Sequence, residues 1–491
     1  MLTYELKKAP GMPLYEALYR CIRQDILTGV LAPGEKLPSK RALAQHLKVS
    51  KITVEGAYEQ LLSEGYIQSR EKVGYFVEPG FGENSLKTDI FDGINEKNPI
   101  FEQFSSDRSL KTDIFAETDE KTPIFTRFSN NSQLPPVDLV TNSTTHFPFS
   151  VWSRLQRQLM LDVGEGLLSP VPNQGLWELR LAIARQLYQF QGMRVQPQNI
   201  LIGAGTDFLY NLLIQLLGRD KVYAVEEPGY GKIRRIYGAG GVVCTGAPMD
   251  SQGVIPEELG EARVLHISPS HHFPTGNVTT ASRRQALIRW AQSAPDRWII
   301  EDDYDSEFRF RSRPMTAMVT MDPDRVIYMN TYSKTLTASI RISYMVLPAS
   351  LMTRFREKLG FYSCTVPVFE QYTLERFLRL GYFEKHINRM RKLYKSRRNR
   401  ILNIINACPI SHQITILEQD AGLHFLLKVN TQLSDQALVE RFALAGIRIH
   451  SLGNYYHEKE PEDTGCLVVN YSGLSDGDMT RLEEALTKLE L

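Results

Sequence analysis

A polar segment at residues 79–137 divides this 491-residue chain into two parts with different sequence patterns. Residues 1–78 show short helical patterns, and from residue 138 onward strand and helix patterns alternate. A chain of this length is too long for one ordinary core. We therefore predict a small domain at 1–78, a linker at 79–137 and an α/β domain at 138–491. The α/β domain would have a large part at about 138–350 and a smaller C-terminal part at about 365–491.

The predicted linker contains an internal repeat. The sequence SLKTDIF at Ser85–Phe91 recurs 24 residues later at Ser109–Phe115, and NPIF at Asn98–Phe101 recurs as TPIF at Thr122–Phe125. Two copies are too few for a solenoid. One interpretation is a duplicated linker. The other is that the repeated Ile and Phe side chains dock in order onto a domain, since a fully disordered linker would not need them.

Composition limits the partners that the chain can have. The formal net charge is +1, and residues 1–80 carry 11 Lys and Arg against 9 Asp and Glu, so any nucleic-acid surface must be local. Five scattered cysteines without metal-ligand spacing indicate a reduced, cytoplasmic protein with no metal site. We find no signal-peptide pattern and no apolar run near the roughly 18 residues of a membrane span, so we expect no membrane partner.

The pattern of residues 13–78 is typical of a helix-turn-helix followed by a wing. The first predicted helix carries one apolar face: Leu14, Leu18, Ile22 and Ile26. Ser39 can cap a second helix, and Ser50 can cap a third after a short turn. The sequence YIQSREKVGYFV at 66–77 then predicts a small hairpin with a charged tip that contains Gly74.

In such a module the first turn of the third helix faces the major groove, and charged residues nearby reach phosphates. The predicted DNA-binding residues are therefore Ser39, Arg41, Ser50, Lys51, Thr53, Lys72 and Gly74. The alternative is a small helical domain with solvated charges. The order of helices, caps, turn and wing favours DNA binding.

Two signals in the second part predict a site for a flat, phosphorylated ligand. A strand at Ile200–Ile202 runs into Gly203, Gly205 and Thr206 before a helix, and free N–H groups at a helix start suit a phosphate. A second strand leads to Tyr230, which can stack on a planar ring. Taken singly, the first signal is often only a turn and the second is more often a surface tyrosine.

Two further signals predict carbonyl chemistry. Asp302 and Tyr304 follow an apolar strand and could share one face of it, where Asp302 can keep a pyridine nitrogen protonated and Tyr304 can bond a ring oxygen. An acidic cluster of this kind could instead bind metal or face water. Lys334 lies beyond a strand at Val326–Met329, with Ser333 beside it and Arg341 seven residues on. That arrangement suits a Schiff base to an aldehyde cofactor that carries a phosphate, although a lone loop lysine is usually a solvated charge.

These motifs resemble those of fold-type I enzymes that use pyridoxal 5′-phosphate (PLP), and residues 13–78 resemble the GntR type of winged helix. The whole chain except the repeated linker resembles the MocR/GabR family of GntR-type regulators. The stretches that carry this resemblance are EEPGY, SPSHHFPTG, IIEDDYDSEF, YSKTL, the segment through Arg341, and AGLHF at 421–425. The resemblance implies a winged helix-turn-helix joined to an aminotransferase-like domain. That domain would have a large, mainly parallel sheet and a smaller C-terminal α+β part.

The resemblance also implies a role for each site residue. Lys334 would carry PLP, Asp302 would pair with the ring nitrogen, and Tyr304 would bond the ring oxygen. Tyr230 would stack on the ring. Thr206, Ser333 and Arg341 would hold the phosphate. Gly205 and His271 would also belong to the cofactor site. The family implies a head-to-tail homodimer that binds a double-stranded operator.

Several positions depart from the family pattern. Asp207 stands where glutamine is common, and a carboxylate beside a phosphate is unfavourable unless it turns away. His272 replaces another glutamine. Members that bind γ-aminobutyrate carry arginine where this chain has Lys232, and a second arginine in a C-terminal region where this chain has none. That effector is therefore not expected.

Three functions fit these observations. The chain could be a regulator that senses an amino compound, or PLP itself, through a Schiff base on Lys334 and thereby alters operator binding. It could be a working aminotransferase with a DNA-binding head. It could also be a regulator whose body has lost the cofactor and serves only for dimerisation. We favour the first interpretation.

Overall fold

The computed structural model describes residues 4, 14–27, 29–32, 34–63, 66–70, 73–77, 135–141, 146–308, 317–417, 422–458 and 464–489. The chain forms two compact units, Met1–Leu134 and Pro135–Leu491. The 24-residue repeat and nearly all of the predicted linker lie outside the described residues. Among those described, no helix is both long and apolar enough to cross a membrane.

The first unit contains three helices and a hairpin: α1 Leu14–Leu27, α2 Lys40–Leu47, α3 Lys51–Ser63, β1 Ile67–Arg70 and β2 Gly74–Val77. Both predicted caps are confirmed. The hydroxyl oxygen of Ser39 accepts the amide N–H of Ala42 at 3.2 Å, and that of Ser50 accepts the amide N–H of Thr53 at 3.1 Å. The α2–α3 turn is closed by Lys48, whose left-handed backbone ends α2.

The three helices and the hairpin enclose one small core. Leu18, Ile22 and Ile26 of α1 are buried against Val54, Tyr58 and Leu61 of α3. The strands β1 and β2 pair antiparallel, with Ile67 opposite Val77 and Arg70 opposite Gly74. The predicted hairpin is confirmed, although Gly74 begins β2 and does not lie within the tip.

The second unit is built on an eight-stranded sheet with the order β4-β11-β10-β9-β8-β5-β6-β7. Its strands are β4 Ile200–Gly203, β5 Val222–Glu227, β6 Val243–Asp250, β7 Gly253–Val254, β8 Val264–Ile267, β9 Trp298–Asp302, β10 Val326–Thr331 and β11 Ser343–Val346. The neighbouring pairs from β10 to β6 are parallel, whereas β11 is antiparallel to both β10 and β4. Most of these strands are buried almost throughout, as strands covered on both faces should be, whereas β6 is mainly half-buried.

Helices and a second sheet complete this unit. The helices are α4 Phe149–Val163, α5 Trp177–Gln191, α6 Thr206–Leu217, α7 Gly231–Ala239, α8 Ala281–Gln292, α9 Tyr332–Thr335, α10 Ala349–Leu359, α11 Val368–Arg379, α12 Tyr382–Ala407, α13 Asp435–Leu444 and α14 Asp476–Thr487. The C-terminal part has an antiparallel sheet with the order β12-β13-β16-β15: β12 Ile414–Leu417, β13 His424–Val429, β15 His450–Ser451 and β16 Cys466–Asn470. Strand β14 Ile447–Arg448 pairs instead with β3 Val137–Asp138, which ties the start of the unit to its end. The predicted mainly parallel sheet and smaller α+β part are confirmed.

The strand directions determine where the site can form. Because β4, β5, β8, β9 and β10 point the same way, the segments that follow them emerge at one edge of the sheet. Strand β11 runs in the opposite direction, so the residues before it reach that same edge. All four of the predicted strand-end signals, and Arg341, therefore belong to this edge.

Candidate functional site

Lys334 lies in the short helix α9, directly after β10. The Thr331 hydroxyl starts α9 by accepting the amide N–H of Ser333 at 3.1 Å, and the Ser343 hydroxyl supports Thr331 at 2.7 Å. Burial lowers the pKa of the Lys334 amine, while the charges of Asp305 and Asp302 act in the opposite direction. A lowered pKa leaves more of the lysine as the neutral amine, which is its nucleophilic form.

Asp302 ends β9 with one carboxylate oxygen partnered and the other free. Its Oδ2 accepts the phenol O–H of Tyr210 at 2.5 Å and lies 3.4 Å from Nε2 of His266. The opposite nitrogen of that imidazole, Nδ1, is 2.7 Å from the phenol oxygen of Tyr237. The Oδ1 atom is buried without a partner in the described part of the chain. Because a buried carboxylate oxygen without a donor is costly, Oδ1 is available for a cationic N–H.

Tyr304 differs from the prediction. Strand β9 ends at Asp302, so the two-residue alternation that paired Asp302 with Tyr304 does not extend to Tyr304. The Tyr304 hydroxyl donates to the backbone carbonyl of His271 at 3.0 Å. The His271 ring in turn lies 2.9 Å from Asp305 through Nδ1 and has no partner at Nε2 among the described residues. Tyr304 and His271 thus form one contact group beside the end of β9.

The turn before α6 lies against Arg341, and we call these residues together the cup. Gly205 has φ +86°, a backbone conformation that favours glycine, and a Cβ there would lie 2.1 Å from the Arg341 guanidinium. Arg341 itself has a left-handed φ of +48°, a strained conformation that is frequent at functional sites. The Ser333 hydroxyl oxygen is buried and has no partner in the part of the chain that the structure describes. Backbone N–H groups at the start of α6, with Thr206, face the same edge.

Tyr230 lies at the start of α7 with 52% of its surface exposed. Its ring meets Phe273 edge-on, with 6.0 Å between centroids and 88° between planes. The adjacent backbone is fixed because the amide of Gly229 donates to the carbonyl of Tyr455 at 2.9 Å. One face of Tyr230 is thus open to a planar ligand.

These residues fit PLP. A phosphate suits the N–H groups and guanidinium of the cup, a ring N–H suits the free Oδ1 of Asp302, and an aldehyde suits the buried amine of Lys334. Among the described residues, no three His, Cys, Asp or Glu side chains lie close enough together to hold a metal ion.

The first unit, which we call the head, presents polar groups around the starts of α2 and α3. Arg41, Ser50 and Lys51 are exposed, as is Ser39. The hydroxyls of Ser50 and Thr53 lie 2.8 Å apart, and the Lys51 ammonium is 3.3 Å from the Glu55 carboxylate. Gly74 is half-buried in the wing, and Lys72 lies outside the described residues. The surface at the α2–α3 turn is therefore rich in donors, as a DNA-contacting helix requires.

Sequence reasoning missed Tyr210, Tyr237 and His266, which surround Asp302. One signal for Tyr210 was available, because it lies four residues after Thr206 and so shares a face of α6. His266 was marked only by being polar inside the apolar strand VLHI. Nothing along the chain indicated Tyr237, since its contact depends on how α7 packs against the sheet.

Comparison with known proteins agrees with both units. Residues 14–77 match the family described as "Bacterial regulatory proteins, gntR family". The uncharacterized HTH-type transcriptional regulator YdeL of Bacillus subtilis (strain 168) is 34% identical over 492 residues, covering 100% of this chain and 98% of the relative. The HTH-type pyridoxine biosynthesis transcriptional regulator PdxR of Corynebacterium glutamicum is 28% identical over 444 residues, covering 89% of this chain and 87% of the relative.

Solved structures share the fold of the second unit. The kynurenine aminotransferase of Pyrococcus horikoshii superposes with a TM-score of 0.62 at 22% identity, covering 72% of this chain and 91% of that one. The multiple substrate aminotransferase of Thermococcus profundus gives 0.64 at 19% identity, with coverage of 73% and 91%. The chain thus has a GntR-type head and an aminotransferase-like body, and its relatives along the full length are transcriptional regulators. It therefore belongs to the MocR/GabR family of GntR-type transcriptional regulators.

Proposed function

We propose that this regulator binds PLP on Lys334 and senses an amino compound, or PLP itself, through that site, so that its affinity for a double-stranded operator changes. The observation that carries the proposal is the pairing of two unusual groups at one sheet edge. These are a half-buried lysine whose amine has a lowered pKa, and a buried carboxylate with one oxygen that has no partner among the described residues. A purely structural body would use Asp302 as the acceptor of Tyr210, but it would gain nothing from the unpartnered Oδ1 or from a lysine with a lowered pKa.

When bound, PLP supplies an aldehyde carbon that condenses with amines and a protonated ring nitrogen that withdraws electrons. The chain's own residues bind, orient and neutralise it. Asp302 holds the ring N–H while Tyr210 and His266 hold Asp302. Lys334 offers its neutral amine to the aldehyde carbon.

The remaining residues fix the ligand's position. Gly205, Thr206, Ser333 and Arg341 hold the phosphate, and Tyr230 covers one face of the ring. Tyr304 reaches the ring oxygen by turning its O–H away from the carbonyl of His271, 3.0 Å away in this structure. His271 lines the pocket beside it.

At the head we propose that Ser39, Arg41, Ser50, Lys51 and Thr53 contact DNA, with Lys72 and Gly74 of the wing beside them. The family architecture suggests a head-to-tail homodimer acting in the cytoplasm, where the operator lies. Binding of an amine shifts the dimer between two states that differ in operator affinity.

The experiment is an absorption titration of the purified chain with PLP, followed by borohydride reduction and peptide mapping. We expect a visible band that borohydride fixes as a covalent adduct on Lys334, and no adduct in Lys334→Ala. An adduct of equal yield on another lysine, or the lack of any band, would refute the proposal. Operator binding by Lys334→Ala is the control for folding.

The same groups support a second candidate, a working aminotransferase, since the Lys334 amine, whose pKa burial lowers, can also move a proton. Turnover separates the two functions. A regulator would change its spectrum with an amine and then stall, whereas an enzyme would convert amino acid and keto acid continuously. Assaying the PLP-loaded chain with a panel of amino acids and pyruvate decides between them.

A further inference from the structure

Asp207 is the feature of the cup that the phosphate hypothesis does not explain. It lies in the first turn of α6, directly after Thr206, where a carboxylate faces the position proposed for a dianion. Its charge favours the start of a helix, but it opposes an anionic ligand at the same place. A cup with Asp207 alone would therefore bind phosphate poorly.

Two cations from different elements converge on this carboxylate. The Lys232 ammonium of α7 lies 2.8 Å from Oδ2 of Asp207, and the Arg341 guanidinium lies 3.3 Å from the same oxygen. Arg341 also approaches the carbonyl of Ala204 at 3.5 Å. Asp207 thus competes with a phosphate for Arg341, and Lys232 is the group that can satisfy Asp207 in its place.

Exposure argues against a role in stability. The side chains of Asp207, Lys232 and Arg341 are 36%, 47% and 47% exposed. Ion pairs so open to water contribute little to folding. Their charges matter only when a ligand fills the cup and displaces the water that screens them.

We infer that Lys232 is the counter-ion of Asp207 in the phosphate cup, and that it is not an anchor for the carboxylate of an effector. The inference rests on the proposed PLP site. With Lys232 engaged by Asp207, Arg341 is released to the phosphate, and the charge of the cup stays positive. Lys232 also acts on the amine of Lys334, whose pKa its charge helps to lower. The effector of this chain is consequently not recognised through Lys232.

A double-mutant cycle on cofactor affinity tests the inference. The dissociation constants of PLP are measured for the full-length wild type, Lys232→Met, Asp207→Asn and the double variant. We expect Lys232→Met to weaken PLP binding about tenfold, because an unpaired carboxylate then faces the phosphate. Asp207→Asn should leave PLP affinity unchanged or higher, and the double variant should recover to within about threefold of wild type.

Two controls isolate the phosphate. Pyridoxal, which lacks that group, should lose much less affinity than PLP in Lys232→Met, because only the effect of Lys232 on the Lys334 amine remains. Arg235→Met removes an exposed cation from the same helix without touching the cup and should leave PLP affinity unchanged. Where Lys232→Met fails to fold, Lys232→Gln replaces it in the cycle.

The outcomes separate this inference from the proposed function. If wild type binds no PLP, the proposed function fails. If wild type binds PLP but the effects of the two substitutions simply add, or pyridoxal binding falls as much as PLP binding, Lys232 is not the counter-ion of Asp207 and the inference is overturned.

Discussion

Asp302 illustrates how a single residue can serve both the fold and the ligand. The buried Tyr210 hydroxyl donates to Oδ2 at 2.5 Å, and burial raises the pKa of that phenol well above its usual value. The tyrosine therefore remains a donor at any ordinary pH. It needs an acceptor in the empty and the loaded states alike.

Removing that acceptor should destabilise the body. In Asp302→Ala the Tyr210 hydroxyl stays buried without a partner, so we expect the free energy of unfolding to fall by about 1–3 kcal/mol. Asp302→Asn keeps an oxygen acceptor and should lose less. Urea unfolding followed by tryptophan fluorescence measures this, because all four tryptophans lie in the second unit: Trp152, Trp177, Trp290 and Trp298. Equal stability of Asp302→Ala and wild type would contradict the hydrogen bond.

Glu226 gives the body a pH dependence. Burial raises the pKa of its carboxyl from 4.5 to about 8, although the amide of Ser268 donates to it at 3.0 Å. The folded state thus holds a proton that the unfolded chain releases. The contribution of this proton to the free energy of unfolding is fully present below pH 4.5 and is lost as the pH rises through about 8.

Glu226→Gln mimics the protonated carboxyl at every pH. We expect its unfolding temperature to fall less between pH 5 and pH 8 than that of wild type. Differential scanning calorimetry across this range measures the difference. Glu261→Gln, at an exposed position, is the matched control and should follow wild type. Parallel curves for Glu226→Gln and wild type would show that Glu226 is ionised in the folded protein.

At the scale of elements, the sequence predicts those parts that depend on neighbours along the chain. Helix α3, its cap at Ser50 and the strand before Lys334 follow from periodicity and from local hydrogen bonds. The antiparallel insertion of β11 could not be predicted, because strand order is set by packing between distant segments. Arg341 reaches the site only through that insertion. The same limit explains why the Asp207–Lys232 contact, between α6 and α7, was not foreseen.

Helix α3 carries a testable DNA contact. Lys51 pairs with Glu55 at 3.3 Å, but an exposed pair at this spacing is worth only about 0.3–0.5 kcal/mol, so Lys51 can leave it for DNA. We expect Lys51→Ala to lower operator affinity about tenfold and to reduce the salt slope by about 1. Fluorescence anisotropy on a duplex selected from random DNA measures both.

The matched control is Lys358→Ala, which removes an exposed lysine from α10 of the second unit. It should change neither affinity nor slope. PLP binding should be the same in all three proteins. An unchanged operator affinity for Lys51→Ala would show that Lys51, at the start of α3, does not contact DNA.

At the scale of the whole molecule, the proposed function requires that ligand binding in the second unit and operator binding in the first unit affect each other. An amine can change operator affinity only if it binds one state of the protein better than the other. By linkage, the operator must then change the affinity for the amine by the same factor. This reciprocity requires no particular arrangement of the units, and it holds whichever of the two states represses.

The most direct measurement is operator affinity of the PLP-loaded chain with and without the amine that most changes its visible spectrum. We predict a change of at least about fivefold for wild type and none for Lys334→Ala. The same change in Lys334→Ala, or no change in wild type, would contradict sensing through Lys334.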